Sequence, residues 1–318
     1  MNLINMNLIN MNLINAVRES LAARFAAITL PIAAFLLSNP AQALAIEINE
    51  DFKPQNEFKL DPWVELKFGP VDMSINKAVL LLVLAGAATI GVLLYIANRM
   101  QARPNRVQFV VEMAYDLIEN VITKANIKNS VTANKWFGFL ATLFFFIWFS
   151  NILGYLPLPI NTEHTVNIFG WDAPTFQIYA ATANLSVPLA LALVVWISYH
   201  FEGVREHGPI GYLKTWAPSG LKGPVKVAVF AIESLSHFLR LISLSVRLFA
   251  NMLAGHMLIL IMGGGMIVLL GTIIIAPLTL PIGVAFFIFE VGLIASLQAF
   301  IFAILSAIYL GSAVSHDH

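Results

Sequence analysis

The sequence predicts an all-α integral membrane protein with about five transmembrane helices. The last two are expected to be long, strongly tilted and antiparallel, and one further helix to be amphipathic and interfacial. Three observations carry this prediction. Hydrophobic residues make up 58% of the 318 and charged residues 11%, with a mean hydropathy of +0.79, whereas soluble domains carry about 25% charge. Apolar runs of spanning length recur along the chain. The basic residues also cluster between runs: six of the 18 Lys and Arg lie in 99–135 and four in 205–226, with none in 158–182.

Acids and bases balance at 18 each, so the basic excess that nucleic-acid binding normally needs is missing and no such partner is expected. There is no cysteine, which excludes disulfides, thiolate metal sites and thiol catalysis.

The chain opens on three copies of MNLIN, a low-complexity stretch without assigned structure. Arg18 and Arg24 then precede the apolar run Phe25 to Leu37 and the small-residue site Ala41-Gln42-Ala43. That order is the pattern of a secretory signal, and the run falls short of the roughly 20 residues a spanning helix needs. A mitochondrial presequence is the rival reading, since Arg18, Ser20 and Arg24 suit it too. The expected division is 1–45 start and signal, 46–77 extramembrane segment, 78–318 membrane domain.

Within the membrane domain, Ala78 to Ala97 is the first span. Val107, Val110, Val111, Ala114, Leu117, Ile118, Val121 and Ile122 follow at helical spacing among the basic residues, predicting an interfacial helix over about 106–124. Phe137 to Leu158 and Ala183 to His200 are the second and third spans, with Trp148, Trp171 and Trp196 as interface anchors. The positive-inside rule places 99–135 and 202–226 in the cytoplasm and 158–182 outside. The N-terminus is then outside and, with five spans, the C-terminus is cytoplasmic.

The fourth segment runs from about Val227 to Met262 without a proline. That is about 50 Å of helix against a hydrocarbon core of about 30 Å, so it must tilt. The fifth segment returns from about Ile282 to Leu310, making a tilted hairpin over about 227–312. At about 100° per residue, with Arg247 at zero, Arg240 falls near +20°, Glu233 and Asn251 near +40° and Ser243 near −40°. These five share one stripe, while His256 lies on the opposite face. Arg247 has apolar neighbours on both sides, and a guanidinium in mid-helix costs roughly 2.5–3.5 kcal/mol. Such a group is expected to be functional.

Ser243 to His256, reading SLSVRLFANMLAGH, resembles the signature of subunit a of F-type ATP synthase. Leu297 to Phe302 and Ile308 to Leu310 are similar to that family's closing helix. Weaker likeness covers Arg103-Pro104 onward, Asn151 to Pro157 and Asn184 to Leu191, about 75–318 in all. The resemblance implies that Arg247 is the essential arginine that faces a rotor carboxylate and separates two half-channels. Asn251 matches the asparagine one turn on, and Gln298 the polar residue packed near the arginine. His256 and Glu290 stand where the family carries a partnered pair of titratable groups, suiting an outer half-channel. Glu233 resembles an acid on the cytoplasmic access side and Ser243 lies on the arginine's stripe, while Asn184 is read either as lining the outer half-channel or as simple helix packing.

One spacing departs from the family. Its acid lies seven residues before the glutamine, about −20° around a helix, whereas Glu290 lies eight before Gln298, about +80°. A π-bulge between them would absorb the extra residue, and Gly283 and Gly292 make such irregularity easier.

The function implied is a proton-conducting stator subunit that couples proton flow to rotation, not catalytic alone. The partners implied are c-ring rotor subunits, peripheral-stalk b subunits, the other ATP synthase subunits, protons and lipid. The location implied is the bacterial inner membrane, with the mitochondrial inner membrane as the alternative. No cofactor is expected, and Ser315-His316-Asp317-His318 is read as a frayed tail. The rival classes are weaker. There is no internal repeat for a transporter, and neither HExxH nor GxSxG for an intramembrane hydrolase. A passive scaffold would have no use for a buried arginine.

Overall fold

A computed structural model describes residues 58–68, 71–72, 74–99, 101, 105–159, 165–168, 171–174, 177–217, 223–270 and 275–315. The start and signal region 1–45, residues 46–57, Arg103-Pro104, Glu163, His164, residues 218–222 and the tail 316–318 lie outside the described residues.

Among the described residues, five helices are long and apolar enough to cross a membrane: Lys77–Asn98, Ser130–Gly154, Ser186–His207, Pro224–Val268 and Ala276–Val314. They correspond to the five expected spans. The first belongs to α1 (Lys77–Arg99). The interfacial helix α2 starts at Arg106–Asp116 and continues as a π-helix over Leu117–Lys124. Asn105 begins it by accepting the backbone N–H of Gln108 at 2.8 Å. Ile118 and Ile122 are buried against the bundle while Val107, Val110 and Met113 are more than half exposed, as an interfacial helix requires. Helix α3 (Ser130–Gly154) begins on Asn129, and α4 (Ser186–His207) leads into the short α5 (Pro209–Thr215).

Helix α6 (Pro224–Leu260) has 37 residues, about 55 Å of rise. After it, residues 261–282 belong to a different compact unit from α6: they hold a π turn at Ile261–Gly265, α7 (Met266–Leu270) and the opening turns of α8 (Ala276–Phe289). The other unit, 53–260 with 283–318, holds every candidate site residue. In it a π turn at Glu290–Ile294 joins α8 to α9 (Ala295–Val314). Gly255 lies against Glu290, and the Arg240 guanidinium sits 5.2 Å from the Tyr309 ring centre. One partner's number falls as the other's rises, so the two long helices run antiparallel.

Helix α9 is central because of its small residues. Ala295, Ala299, Ala303 and Ala307, spaced by four, are each wholly buried, letting the backbones of α3 and α4 come close. Lys135 at the start of α3 pairs with the buried Glu202 near the end of α4, which compensates an otherwise costly carboxylate. Outward positions are apolar, including Val83, Ile90, Ile197 and Ile288, as lipid-facing surfaces must be.

Two short antiparallel hairpins depart from the expected all-helical pattern. They are β1 (Lys67–Phe68) with β2 (Val71–Asp72), and β3 (Thr165–Ile168) with β4 (Trp171–Pro174). Both lie in segments read as extramembrane, where two to four residues are too few for a period-two signal.

Candidate functional site

The tightest polar assembly joins α3, α6 and the π turn. His256 is buried on α6, its Nδ1 2.9 Å from the Met252 carbonyl oxygen and its Nε2 3.0 Å from that of Gly154. A neutral imidazole donates to one of these oxygens only, and a second proton would let it donate to both. The ring also stacks on Tyr155, with centroids 4.5 Å apart. Tyr155 in turn donates its hydroxyl to Glu290 Oε2 at 3.0 Å. His256, Tyr155 and Glu290 thus form one contiguous set, with Tyr155 between the two titratable groups that the sequence paired.

Gly255 makes this possible. A Cβ there would overlap the Glu290 carboxyl, so the acid is seated on bare helix backbone.

The π turn occupies Glu290–Ile294, ahead of Gln298, where a bulge would absorb the eight-residue spacing. Glu290 and Gln298 are both buried. The turn is held from α3: Trp148 Nε1 donates to Ser296 Oγ at 3.0 Å, and Asn151 Nδ2 to the Ala295 carbonyl at 3.3 Å. Thr182, in the 3₁₀ turn Ala181–Ala183, completes the set by donating to Asn151 Oδ1 at 2.9 Å. Asn151 and Thr182 are wholly buried. Asn151→Leu leaves the buried threonine hydroxyl without its acceptor, at about 1–3 kcal/mol. We expect a lower unfolding midpoint for the detergent-solubilised complex, and an unchanged midpoint would contradict this bracing.

On α6 the polar stripe divides. Ser243, Arg247 and Asn251 are exposed, and Arg247 has no ion-pair or hydrogen-bond partner among the described residues. Glu233 and Arg240 instead turn partly inward, where α9 crosses. Arg240 Nη2 donates to Glu233 Oε1 at 3.4 Å, and Glu233 is also 3.8 Å from His237 Nε2. They border a cavity of about 230 Å³ together with Tyr212, Trp216 and Ser312. That is room for several waters at about 30 Å³ each, and the lining offers them partners. Along α6, Arg247 lies about 21 Å from Glu233 and about 14 Å from His256.

Asn184 serves α4 locally, its Oδ1 accepting the Ser186 backbone N–H at 3.0 Å and hydroxyl at 2.7 Å. Sequence reasoning missed Tyr155, Thr182 and the bracing role of Asn151. The available signal was a tyrosine and an asparagine at the end of an otherwise apolar span. No cluster of metal-ligating side chains occurs among the described residues.

Residues 79–311 match the family model described as ATP synthase A chain. The chain is 32% identical over 268 residues to ATP synthase subunit a of Hyphomonas neptunium, covering 83% of this chain and 96% of that one. It is 35% identical to the subunit a of Paramagnetospirillum magneticum, covering 83% and 99%, and 31% identical to that of Pelagibacter ubique, covering 83% and 98%.

Proposed function

The chain belongs to the ATP synthase A chain family, and on that premise we propose that it is the proton-conducting stator subunit of a rotary F-type ATP synthase. Its work is to form two offset half-channels beside a ring of carboxylate-bearing rotor subunits and to couple proton passage to ring rotation. The observation that carries this reading is Arg247: a permanent charge, exposed and without a partner among the described residues, within the long helix α6.

An unpaired guanidinium on a lipid-facing surface is expensive; opposite a rotor carboxylate it is compensated. It favours the deprotonated carboxylate, so a rotor site arriving there releases its proton. It also repels a hydronium running straight from one half-channel to the other. On one side His256, Tyr155 and Glu290 supply two titratable groups linked by a phenol. On the other, Glu233 borders a polar cavity. Protons then cross only by riding the ring, with about 2.3 kcal/mol per charge per 100 mV available from the membrane potential. Asn251 and Ser243 flank Arg247 on the presented face, and Gln298 lies on the opposing helix. Asn184 shapes the outer entrance through the start of α4.

The subunit is not catalytic alone, and nucleotide chemistry belongs to the soluble part of the complex. Its partners are the other ATP synthase subunits, with the ring on the Arg247 face of α6 and the peripheral-stalk b subunits holding the stator. The basic residues of 99–135 and 205–226 support a bacterial inner-membrane topology with the N-terminus outside and the C-terminus cytoplasmic.

The absence of native cysteine permits a direct test. Asn251→Cys or Ser243→Cys, each combined with a cysteine on a rotor hairpin, should form a disulfide when the assembled complex is oxidised, whereas Val83→Cys on α1 should not. Cross-linking from Val83 but from neither α6 position would overturn the proposed docking face.

A further inference from the structure

We propose that the outward groove between α5 and the start of α6 is a binding site for an anionic phospholipid. The groove is built rather than incidental. Tyr212 of α5 packs so closely on Gly203 of α4 that a Cβ there would strike the ring, and the Tyr212 hydroxyl lies 2.8 Å from His200 Nδ1. Trp216, just past α5, stacks on Phe230 of α6 with centroids 5.7 Å apart. These contacts turn one side of α5 inward and hold the other side out.

The outward side carries Ile210, 72% exposed, and Leu213, 47% exposed, and α6 adds Val227, 70% exposed. Together with the flank of Phe230 they line an open groove of about 340 Å³. Lys214 and Lys226, one from each helix, also line it, and neither has an acid partner among the described residues. Apolar walls beside two uncompensated ammonium groups complement one kind of molecule: acyl chains joined to a negatively charged phosphate head. A peptide partner would leave both charges unpaired unless it were acidic, and a free phosphate would leave the walls wet. The groove adjoins the end of α4 and the start of α6, at the membrane face where the basic residues gather and where anionic headgroups are attracted.

The test uses the assembled complex in detergent with spin-labelled phosphatidylglycerol and phosphatidylcholine. The wild type should immobilise the anionic lipid in preference. Each lysine contributes about fivefold, from about 1 kcal/mol per basic residue near such a surface. Lys214→Ala with Lys226→Ala should therefore reduce the preferential binding more than tenfold. Leu213→Glu should reduce it with both lysines in place, and Lys124→Ala on α2 should leave it unchanged. Equal retention of phosphatidylglycerol by the wild type and the double variant would overturn the proposal. So would a photo-reactive residue at Ile210 that cross-links to another subunit rather than to lipid.

Discussion

An assembled complex carrying Arg247→Ala is expected to lose ATP-driven proton pumping by at least a hundredfold while its subunits still assemble. The size follows from the kind of interaction removed. A preorganised charge aimed at a site where charge develops is worth about 10²–10³ in rate. Arg247 is available for that purpose because nothing within the chain competes for it among the described residues. Assembly should survive because Arg247 is exposed and braces no helix; the buried side of α6 consists of residues such as Leu244, Leu248, Met252 and Ile259. Arg247→Lys keeps a charge but loses the planar, permanently protonated fork, so it should fall between alanine and wild type. Pumping in reconstituted vesicles, compared with the ATP hydrolysis of the same preparation, measures all three.

Gly255→Ala is expected to reduce pumping at least tenfold, although by helix propensity alone it should stabilise. Alanine is favoured over glycine in a helix interior by about 1 kcal/mol. At Gly255, however, the added methyl would occupy the space of the Glu290 carboxyl. Overpacking of this kind costs about 1–3 kcal/mol. The displaced acid would also lose its hydrogen bond from Tyr155, separating Glu290 from the ring stacked on His256. Gly138→Ala in α3 is the control, because no atom lies within 4 Å of a Cβ at that position. If both variants pump like the wild type, the close seating of Glu290 on α6 is irrelevant to transport.

The spans and the long hairpin were legible because hydropathy and helical period act along a single element. The exposed polar face around Arg247 was legible for the same reason. The irregularity beside Glu290 was legible in an indirect way: an eight-residue spacing to Gln298 conflicts with a shared face, and a π turn resolves it. What escaped was tertiary. Tyr155 lies between His256 and Glu290 only because the end of α3 meets both long helices. Asn151 braces the π turn only because Thr182 reaches it from a loop.

The division of the α6 stripe had the same origin. Periodicity placed Glu233 and Arg240 with Arg247, but it could not foresee α9 crossing at Arg240 and drawing the lower pair inward. Asn184 illustrates competition between local and long-range roles. Its side chain organises the first turn of α4, an interaction that asparagine readily makes wherever a helix begins.

Passive proton flux with the rotor immobilised reports whether Arg247 keeps the two half-paths apart. Vesicles would carry complexes whose rotation is blocked by a cross-link between rotor and stator, under an imposed pH gradient. Wild-type vesicles should be tight and Arg247→Ala vesicles should leak, since protons could then pass between the half-paths without the ring turning. Arg247→Ala vesicles as tight as the wild type would contradict the separator role.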